Sequence, residues 1–484
     1  MSLMATSEGI EKLKAFQARP IIEELRKGSV PADQVPFFTV GREKWIKFIA
    51  DDLENYIAQG GAKVRFIRGD YGDGKTHFMS IIRHFALDQG FAVSFVVLTR
   101  EVPIHKFEAV YQNIVRQLRG NFTGTGIRSL LKQWLDDLAK SETPLTAEQI
   151  AEMAENLRNL SGMDISFANA LIALLKNHFT ALAEEESQEQ RTDAEELLLH
   201  WFEAGKATKK ELKPFAVFEV VNKTNSKLML NSLNSFLRFI DYKGLVLLLD
   251  ELETVIAQSA SVRNAAYENV RLLIDNSEQA GYLHIFFAII PDVLLSEKGF
   301  KSYDALWSRV RAIGEQDDKP SGKKILNYRG ILVDLHQTPL KQEELVNLGQ
   351  RLRQIHQIAY RWDAVAAVSD QVLLKICENQ QKMGLLSEVR LFVKQVIRLL
   401  DLARENMTLS QRQKGLKQYA GFRPREFPWW LVNALNGNPP SLPRLRQALK
   451  YREVSFYKDK PLSCKGWEPW FQMVCSLAEM FRNA

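Results

Sequence analysis

Short apolar runs alternate with amphipathic stretches through most of the chain, and this alternation predicts an α/β fold. The apolar runs are rich in β-branched and aromatic residues, which favours buried strands. The stretches between them repeat their apolar residues every three or four positions, as helices with one buried face do. Strands that alternate with helices indicate a parallel, doubly wound sheet flanked by helices. The five predicted strands are residues 63–68, 92–98, 244–253, 283–290 and 331–335.

The other segments divide the chain into predicted parts around this sheet. Pro20 suits the first turn of a helix and Gly28 suits a C-terminal cap, so the lead-in is helical. The stretch between the second and third strands is helical by periodicity and too long for a simple connection, so we expect an insertion with a small core of its own. The parts are lead-in helices at 5–39, a P-loop core at 40–120 and 241–337, a helical insertion at 121–240, a helical lid at 338–404 and a C-terminal module at 405–484.

Residues 69–76 carry every fixed position of a phosphate-binding loop, G-x-x-x-x-G-K-[ST]. A predicted strand precedes the loop and a predicted helix follows it, which a Gly-rich surface turn would not require. Glycines let backbone amides turn toward phosphate oxygens, and the helix adds its positive end. We expect Lys75 to reach the β- and γ-phosphates. The expected nucleotide-binding positions are Gly69, Asp70, Tyr71, Gly72, Asp73, Gly74, Lys75, Thr76 and His77.

Two acidic residues, Asp250 and Glu251, follow the apolar run of the third predicted strand. Parallel strands deliver such residues to the ligand-binding edge of their sheet. Asp250 and the hydroxyl of Thr76 are expected to hold Mg²⁺, and Glu251 to orient or deprotonate the attacking water. A solvated strand end could carry the same two acids, but a phosphate loop on the same sheet favours the catalytic interpretation.

Phosphoryl transfer also uses arginines to neutralise the charge of the transition state. Arg309 follows the fourth predicted strand, where a neighbouring subunit could be reached, and Arg390 begins a lid helix. We take both as candidate catalytic residues. The alternative for each is a surface ion pair, and such pairs contribute little to stability.

Composition indicates a soluble globular protein. Of the 484 residues, 46% are hydrophobic and 25% are charged, and no run of eighteen apolar residues predicts a membrane span. The three cysteines, Cys377, Cys464 and Cys475, show no metal-ligand spacing, which favours a reducing, cytoplasmic location. We expect no secretory leader at the amino terminus.

The positive charge is concentrated near the carboxyl end. Residues 405–484 contain 13 Lys/Arg and 6 Asp/Glu, a net charge of +7; with +6 for the whole chain, the remaining 404 residues sum to −1. Basic and aromatic residues together suit contact with nucleic acid, so DNA is an expected partner. The alternative is a packed helical cap whose tryptophans form its core. Four of the nine tryptophans lie in this segment, namely Trp429, Trp430, Trp467 and Trp470.

Taken in order, these pieces resemble the AAA+ ATPases of the origin-recognition type. Residues 40–43 look like their adenine-side box, residues 69–76 like Walker A and residues 247–251 like Walker B. A closer resemblance is to the ATP-binding proteins of bacterial BREX phage-defence systems, of the BrxD type. The segments that carry it are residues 21–31, 65–76, 244–253 and 263–267.

The resemblance, which covers roughly residues 18–400, implies an AAA+ fold, ATP as substrate and Mg²⁺ as cofactor. By the same resemblance Val40, Gly41 and Arg42 are expected at the nucleotide, Arg309 as the arginine finger and Arg390 as sensor 2. It also implies a homo-oligomer, because an arginine finger acts across a subunit boundary. Other defence-system proteins are further expected partners.

One position departs from the resembled pattern. AAA+ proteins carry a polar sensor 1, Asn or Thr, at the end of the fourth strand, whereas this strand runs into Ile289, Ile290, Pro291 and Asp292. Two functions therefore stay open: an ATPase that acts on DNA or a DNA-bound partner, and a slow ATP-dependent switch with little turnover. A metabolic kinase is not favoured, because no acceptor site for a small molecule is recognisable.

Overall fold

The computed structural model describes residues 7–140, 145–180, 188–311, 327–382 and 388–419. The chain divides into two units, Met1–Ala403 and Arg404–Ala484, and the description that follows concerns the first. Residues 420–484, with the four tryptophans of the predicted C-terminal module, lie outside the described residues. The predicted domain boundaries stay predictions.

A six-stranded sheet lies at the centre of the fold, in the order β3-β2-β4-β5-β1-β6. All neighbouring strands are parallel except β3, which pairs antiparallel with β2. This arrangement confirms the predicted α/β class, with a P-loop sheet flanked by helices. The strands are β1 Ala62–Arg68, β2 Ala92–Val97, β3 Leu118–Arg119, β4 Leu245–Asp250, β5 Leu283–Ile289 and β6 Leu332–Asp334.

The register of the sheet brings the phosphate loop and the Asp250-Glu251 pair to the same edge. Phe66 of β1 and Leu249 of β4 both stand opposite Phe287 of β5. Because the three strands are parallel, the loop after β1 and the acids at the end of β4 leave the sheet on one side, with only β5 between them.

Helices cover both faces of the sheet and supply the insertion and the lid. Two short 3-10 turns, Ile57–Gln59 and Leu252–Val255, follow α3 and β4 respectively. The described helices are α1 Ser7–Glu11, α2 Ala15–Lys27, α3 Glu43–Asn55, α4 Lys75–Asp88, α5 Phe107–Arg116, α6 Ile127–Ala139, α7 Ala147–Arg158, α8 Ile165–Thr180, α9 Gln188–Phe202, α10 Lys209–Leu212, α11 Ser226–Phe239, α12 Ala260–Ala280, α13 Pro291–Leu295, α14 Asp304–Val310, α15 Gln342–Tyr360, α16 Ala364–Ala367, α17 Asp370–Lys382 and α18 Val389–Tyr419.

Two hydrophobic cores lie on opposite faces of the sheet. Successive strand residues alternate between them, so Leu247 belongs to one core and Leu248 to the other. The first core includes side chains of the insertion helices, such as Leu131 and Phe167. The expected separate core of the insertion is therefore wrong: its apolar residues are continuous with one face of the sheet.

The lead-in packs against the lid side of the molecule. Ile21, Ile22 and Leu25 of α2 are buried in the second core, which also holds side chains of α15 and α18. Pro20 lies inside α2 and not in its first turn, so that expectation is wrong. Its ring removes one backbone hydrogen bond, and the burial of the apolar face of α2 offsets this cost. Gly28 caps the helix as predicted, with φ of 88°.

Candidate functional site

Two glycines in the left-handed region shape the phosphate loop between β1 and α4. Gly72 has φ of 98° and Gly74 has φ of 90°, values that strain any residue with a side chain. The helix begins at Lys75, directly after Gly74, so the unpaired amides of its first turn belong to the loop. This backbone suits the binding of phosphate oxygens.

The side chain of Lys75 is buried within the loop. Its Nζ donates to the carbonyl oxygen of Gly69 at 2.9 Å and to that of Asp70 at 3.3 Å. The same atom lies 3.9 Å from Oε1 of Glu253 and 5.2 Å from the ring centre of Tyr71. The ammonium is therefore held at the mouth of the loop by backbone oxygens and one carboxyl group.

Thr76 and the end of β4 meet directly. The Thr76 hydroxyl donates to Oδ2 of Asp250 at 2.8 Å, and Oδ1 of Asp250 accepts the backbone amide of Glu251 at 2.9 Å. Glu251 has a left-handed backbone, φ 62°, which ends the strand and redirects the chain. Glu251 lines the same pocket as Lys75 and Thr76.

Glu253 is an acidic residue of this site that the sequence reasoning did not single out. It lies in the turn after β4 and is 7% exposed. Burial raises the pKa of its carboxyl to about 7; Lys75 lowers this pKa, and Glu251 and Asp250 raise it. Its position in the sequence could have indicated this, because it lies two residues after Glu251 and between the apolar residues Leu252 and Val255.

The phosphate loop opens into a pocket whose walls come from the lead-in, the loop and the lid. The lining combines polar groups of the loop with a set of apolar side chains. These apolar side chains are Leu25, Val30, Phe38, Val40, Ile81, Leu340, Leu348, Val389 and Val393. The arrangement fits a ligand with a charged end and a flat apolar end.

The three residues of the expected adenine-side box have different surroundings. Val40 and Arg42 line the pocket. Gly41 has φ of 67° and leaves no room for a side chain against Leu340. Arg42 donates through its guanidinium to the carbonyl oxygen of Asp73 at 3.0 Å and to two carbonyls after β6. Burial lowers the pKa of Arg42 to about 10, so it stays charged at neutral pH while tying the loop to β6.

His77 also lines the pocket, behind the phosphate loop. Its Nε2 lies 3.2 Å from the hydroxyl of Thr39, and its ring lies 5.1 Å from that of Phe38. Burial, and secondarily Arg42, lowers the pKa of His77 to about 4. The imidazole is therefore neutral at physiological pH and adds no positive charge to the site.

A comparison with known protein families identifies the family of this chain. A family model described as BREX system ATP-binding protein BrxC/D matches residues 13–418. The chain belongs to this family. The match confirms the predicted resemblance to BREX ATP-binding proteins of the BrxD type and extends over the lead-in, the sheet, the insertion and the lid.

The other comparisons add no relatives. Neither the curated proteins nor the solved structures yield a match to this BrxC/D chain. Within the part of the chain that the structure describes, each helix is too short or too polar to cross a bilayer.

Arg390 of this BrxC/D chain lies at the phosphate loop. Its backbone amide donates to the carbonyl oxygen of Gly72 at 3.2 Å, and the residue lines the pocket at the start of α18. The lid thus contacts the loop through one backbone hydrogen bond, and Arg390 places a cationic residue in the lining of the pocket.

The fold does not bring Arg309 to the lining of the pocket. It lies on α14 and pairs with Asp275 of α12, with Nε–Oδ1 at 2.5 Å and Nη2–Oδ2 at 3.0 Å. Both side chains are about one-third exposed. Within a single chain Arg309 is a surface ion-pair partner.

The sequence reasoning also missed His336, which follows β6. Its Nδ1 lies 3.0 Å from Oδ2 of Asp70 and 3.3 Å from Oδ2 of Asp73, and the latter oxygen accepts the amide of Asp70 at 2.8 Å. Asp73 is buried, so it braces the loop from inside. Sequence distance hides this contact, since 263 residues separate Asp73 from His336.

The end of β5 carries apolar side chains where the resembled class has a polar sensor 1. Ile289 is fully buried, and Ile290 precedes α13. The first acidic residue after the strand, Asp292, lies in the first turn of α13.

Proposed function

We propose that this BREX-family protein hydrolyses ATP with Mg²⁺ at the junction of the phosphate loop and β4. The observation that carries the proposal is the 2.8 Å contact between Thr76 and Asp250, with Lys75 and Glu251 in the same pocket. A hydroxyl and a carboxylate oxygen side by side are ligands that suit Mg²⁺. The family to which the chain belongs is described as ATP-binding.

The pocket supports a definite orientation of ATP. The adenine would lie among apolar side chains such as Val40 and Leu348, and the phosphates would meet the loop amides and Lys75. Arg390, beside Gly72, supplies a second positive charge on the lid side. Orientation by the protein accounts for much of the rate of phosphoryl transfer, because the reaction needs alignment and charge neutralisation.

Thr76 and Asp250 would hold Mg²⁺, which neutralises phosphate charge when bound. Glu251 follows Asp250 with a left-handed backbone and lines the pocket. We assign Glu251 the role of orienting the attacking water and accepting its proton.

Two substitutions test this assignment together. Lys75→Ala should abolish ATP binding, because it removes the cation that faces the phosphates. Glu251→Gln should keep ATP binding and lower steady-state turnover by about 100-fold or more. Binding is measured by calorimetry and turnover by phosphate release, with Mg²⁺ and with EDTA. Normal turnover in Glu251→Gln would show that Glu251 does not accept the proton of the attacking water.

We further propose that the ATPase acts on DNA or on a DNA-bound partner in the cytoplasm. The support is the net charge of +7 on residues 405–484 and their tryptophans. The test compares the salt dependence of DNA binding by the full chain and by a variant with six of these cations changed to Gln. The variant should lose affinity and show a shallower slope with salt. A DNA affinity that does not change with salt concentration would contradict contact between these cations and DNA phosphates. The six positions are Arg444, Arg446, Lys450, Arg452, Lys458 and Lys460.

One observation favours a second candidate, a slow ATP-dependent switch without direct DNA contact. Ile289 ends β5 and Ile290 follows it, so the end of this strand offers no polar side chain to sense the γ-phosphate. Steady-state turnover separates the two functions. Hydrolysis that DNA stimulates favours the first, and tight ATP binding with almost no turnover favours the switch.

A further inference from the structure

Glu253 is buried beside the proposed ATP site without a partner that explains its burial. Both carboxyl oxygens are inaccessible, and beyond its own residue they accept no hydrogen bond from the described part of the chain. A buried carboxyl that lacks such bonds is costly, and this one faces the cation of the proposed ATP site, which points to a role there. The inference below rests on the proposed binding of ATP at Lys75.

The group that Glu253 faces is the ammonium of Lys75. Nζ and Oε1 are 3.9 Å apart, and both side chains are less than one-tenth exposed. Lys75 already donates to the carbonyl oxygens of Gly69 and Asp70. The carboxyl is thus close enough for a strong charge interaction in a poorly hydrated place, but it is not a full hydrogen-bonding partner.

We propose that Glu253 opposes nucleotide binding by competing with the phosphates for Lys75. The phosphates of ATP or ADP need the same ammonium, and their negative charge would lie near the carboxylate. Glu253 therefore weakens the affinity of the site and keeps bound ADP exchangeable. It acts through Lys75, which makes it a positioning residue.

The neighbouring acids do not fill this position. Asp250 accepts from Thr76 and from the amide of Glu251, so its oxygens are engaged. Glu251 follows the strand end directly, whereas Glu253 lies in the next turn, with its Oε1 3.9 Å from Nζ of Lys75. Charge removal at Glu253 should therefore act on affinity, and charge removal at Glu251 on turnover.

The test measures equilibrium binding of Mg-ATP and Mg-ADP to the full chain at pH 8.5, where the wild-type Glu253 carboxyl is ionised. Glu253→Gln keeps the shape and removes the charge, so both nucleotides should bind about tenfold more tightly and ADP should dissociate correspondingly more slowly. Glu253→Asp keeps the charge, so it should stay within about twofold of the wild-type affinity. Glu101→Gln removes an equal charge from an exposed side chain after β2 and should change neither affinity.

The outcomes separate this inference from the proposed function. Equal or weaker nucleotide binding by a folded Glu253→Gln variant overturns the competition, because a merely structural role predicts loss or no change. Tightening by Glu253→Asp as large as that by Glu253→Gln also overturns it. A wild-type chain that does not bind ATP refutes the proposed function itself. Tighter binding by Glu253→Gln without measurable hydrolysis in any variant supports the inference and contradicts only the ATPase.

Discussion

At the scale of single residues, three acidic residues of the proposed ATP site lie near one lysine, Lys75. Asp250, Glu251 and Glu253 lie within four positions of the chain, and the charges of the first two raise the pKa of Glu253. The loop backbone and Glu253 hold Lys75. Carboxyl groups at this place suit a bound cation, which agrees with the proposed Mg²⁺ alongside ATP.

The first prediction concerns the pH dependence of stability at Glu253. Its carboxyl has a pKa of about 7 in the folded chain against 4.5 in the reference state. Between these values the folded chain binds the proton and the unfolded chain does not, so stability falls as pH rises from 4.5 to 7. Glu253→Gln has no carboxyl to ionise at this position, so its stability does not fall in this way. It should be more stable than wild type by about 3 kcal/mol at pH 8.

Urea denaturation of the nucleotide-free protein at pH 5 and pH 8 checks this prediction. The difference in unfolding free energy between the two proteins should be small at pH 5 and large at pH 8. If the two proteins differ in unfolding free energy by the same amount at pH 5 and pH 8, folding does not raise the pKa of the Glu253 carboxyl, and the prediction is wrong. Glu101→Gln, at an exposed position, should show no such trend.

Motifs identified the site residues that occupy fixed spacings, but they could not predict contacts between residues far apart in the sequence. Lys75, Thr76 and Asp250 occupy fixed motif positions, and the fold brings them together. His336 contacts the loop only through the fold. Arg42 was expected at the nucleotide, yet its guanidinium donates to backbone carbonyls, a use that no local pattern encodes.

At the scale of elements, the lead-in and the lid form one wall of the pocket. Arg26 of α2 donates to both oxygens of Asp401 of α18, each at 2.9 Å, and to the Tyr360 hydroxyl of α15 at 3.0 Å. Leu25 of α2 and Val393 of α18 both line the pocket. A shift of α18 would therefore move the lead-in with it.

The second prediction concerns the contact of α18 with the phosphate loop. Arg390→Ala removes a cationic residue from the lining of the pocket but keeps the backbone hydrogen bond between Arg390 and Gly72. ATP affinity should fall about 10- to 100-fold, because a charged contact to phosphate contributes about 1.5–3 kcal/mol. Calorimetry with ATP and with adenosine checks this, since adenosine has no phosphate and should bind both proteins alike.

Lys394→Ala provides the matched control for the same helix. Lys394 lies one turn further along α18, and its side chain packs near Gly28 and not in the pocket. It should leave ATP affinity within about twofold of wild type. Equal losses in the two variants would mean that general charge, and not the position of Arg390, determines affinity.

The periodicity of apolar residues was sufficient to predict the main strands. It failed where tertiary contacts determine whether an element forms or where it begins. All five predicted strands are present, because long buried runs leave little alternative. The two-residue strand β3 is too short for any period to detect. Pro20 suggested a helix start, but burial of the α2 face extends the helix through it.

At the scale of the whole molecule, Arg309 raises the question of assembly. Within one chain it pairs with Asp275 and lies outside the pocket. An arginine that neutralises the transition state must contact phosphate, so Arg309 could do this only in the site of a neighbouring chain. The proposed ATPase then needs at least two subunits per complete site.

The third prediction is that Arg309→Ala lowers turnover roughly 10³-fold or more while ATP affinity stays within about twofold. Arg271→Ala is the matched control, because Arg271 also pairs with Asp275, at 2.8 Å, but lies within α12. It should keep turnover, since it removes the same kind of surface ion pair without removing the proposed finger.

Mixing two inactive variants tests the contribution across subunits directly. Arg309→Ala keeps Glu251, and Glu251→Gln keeps Arg309, so a mixed assembly contains sites with both groups. Turnover should reappear on mixing, with a mass that increases in the presence of ATP. If the mixture stays inactive although ATP drives association, Arg309 does not serve a neighbouring site. Loss of turnover in Arg271→Ala as well would assign the effect to the α12–α14 contact, leaving no reason to infer a shared site.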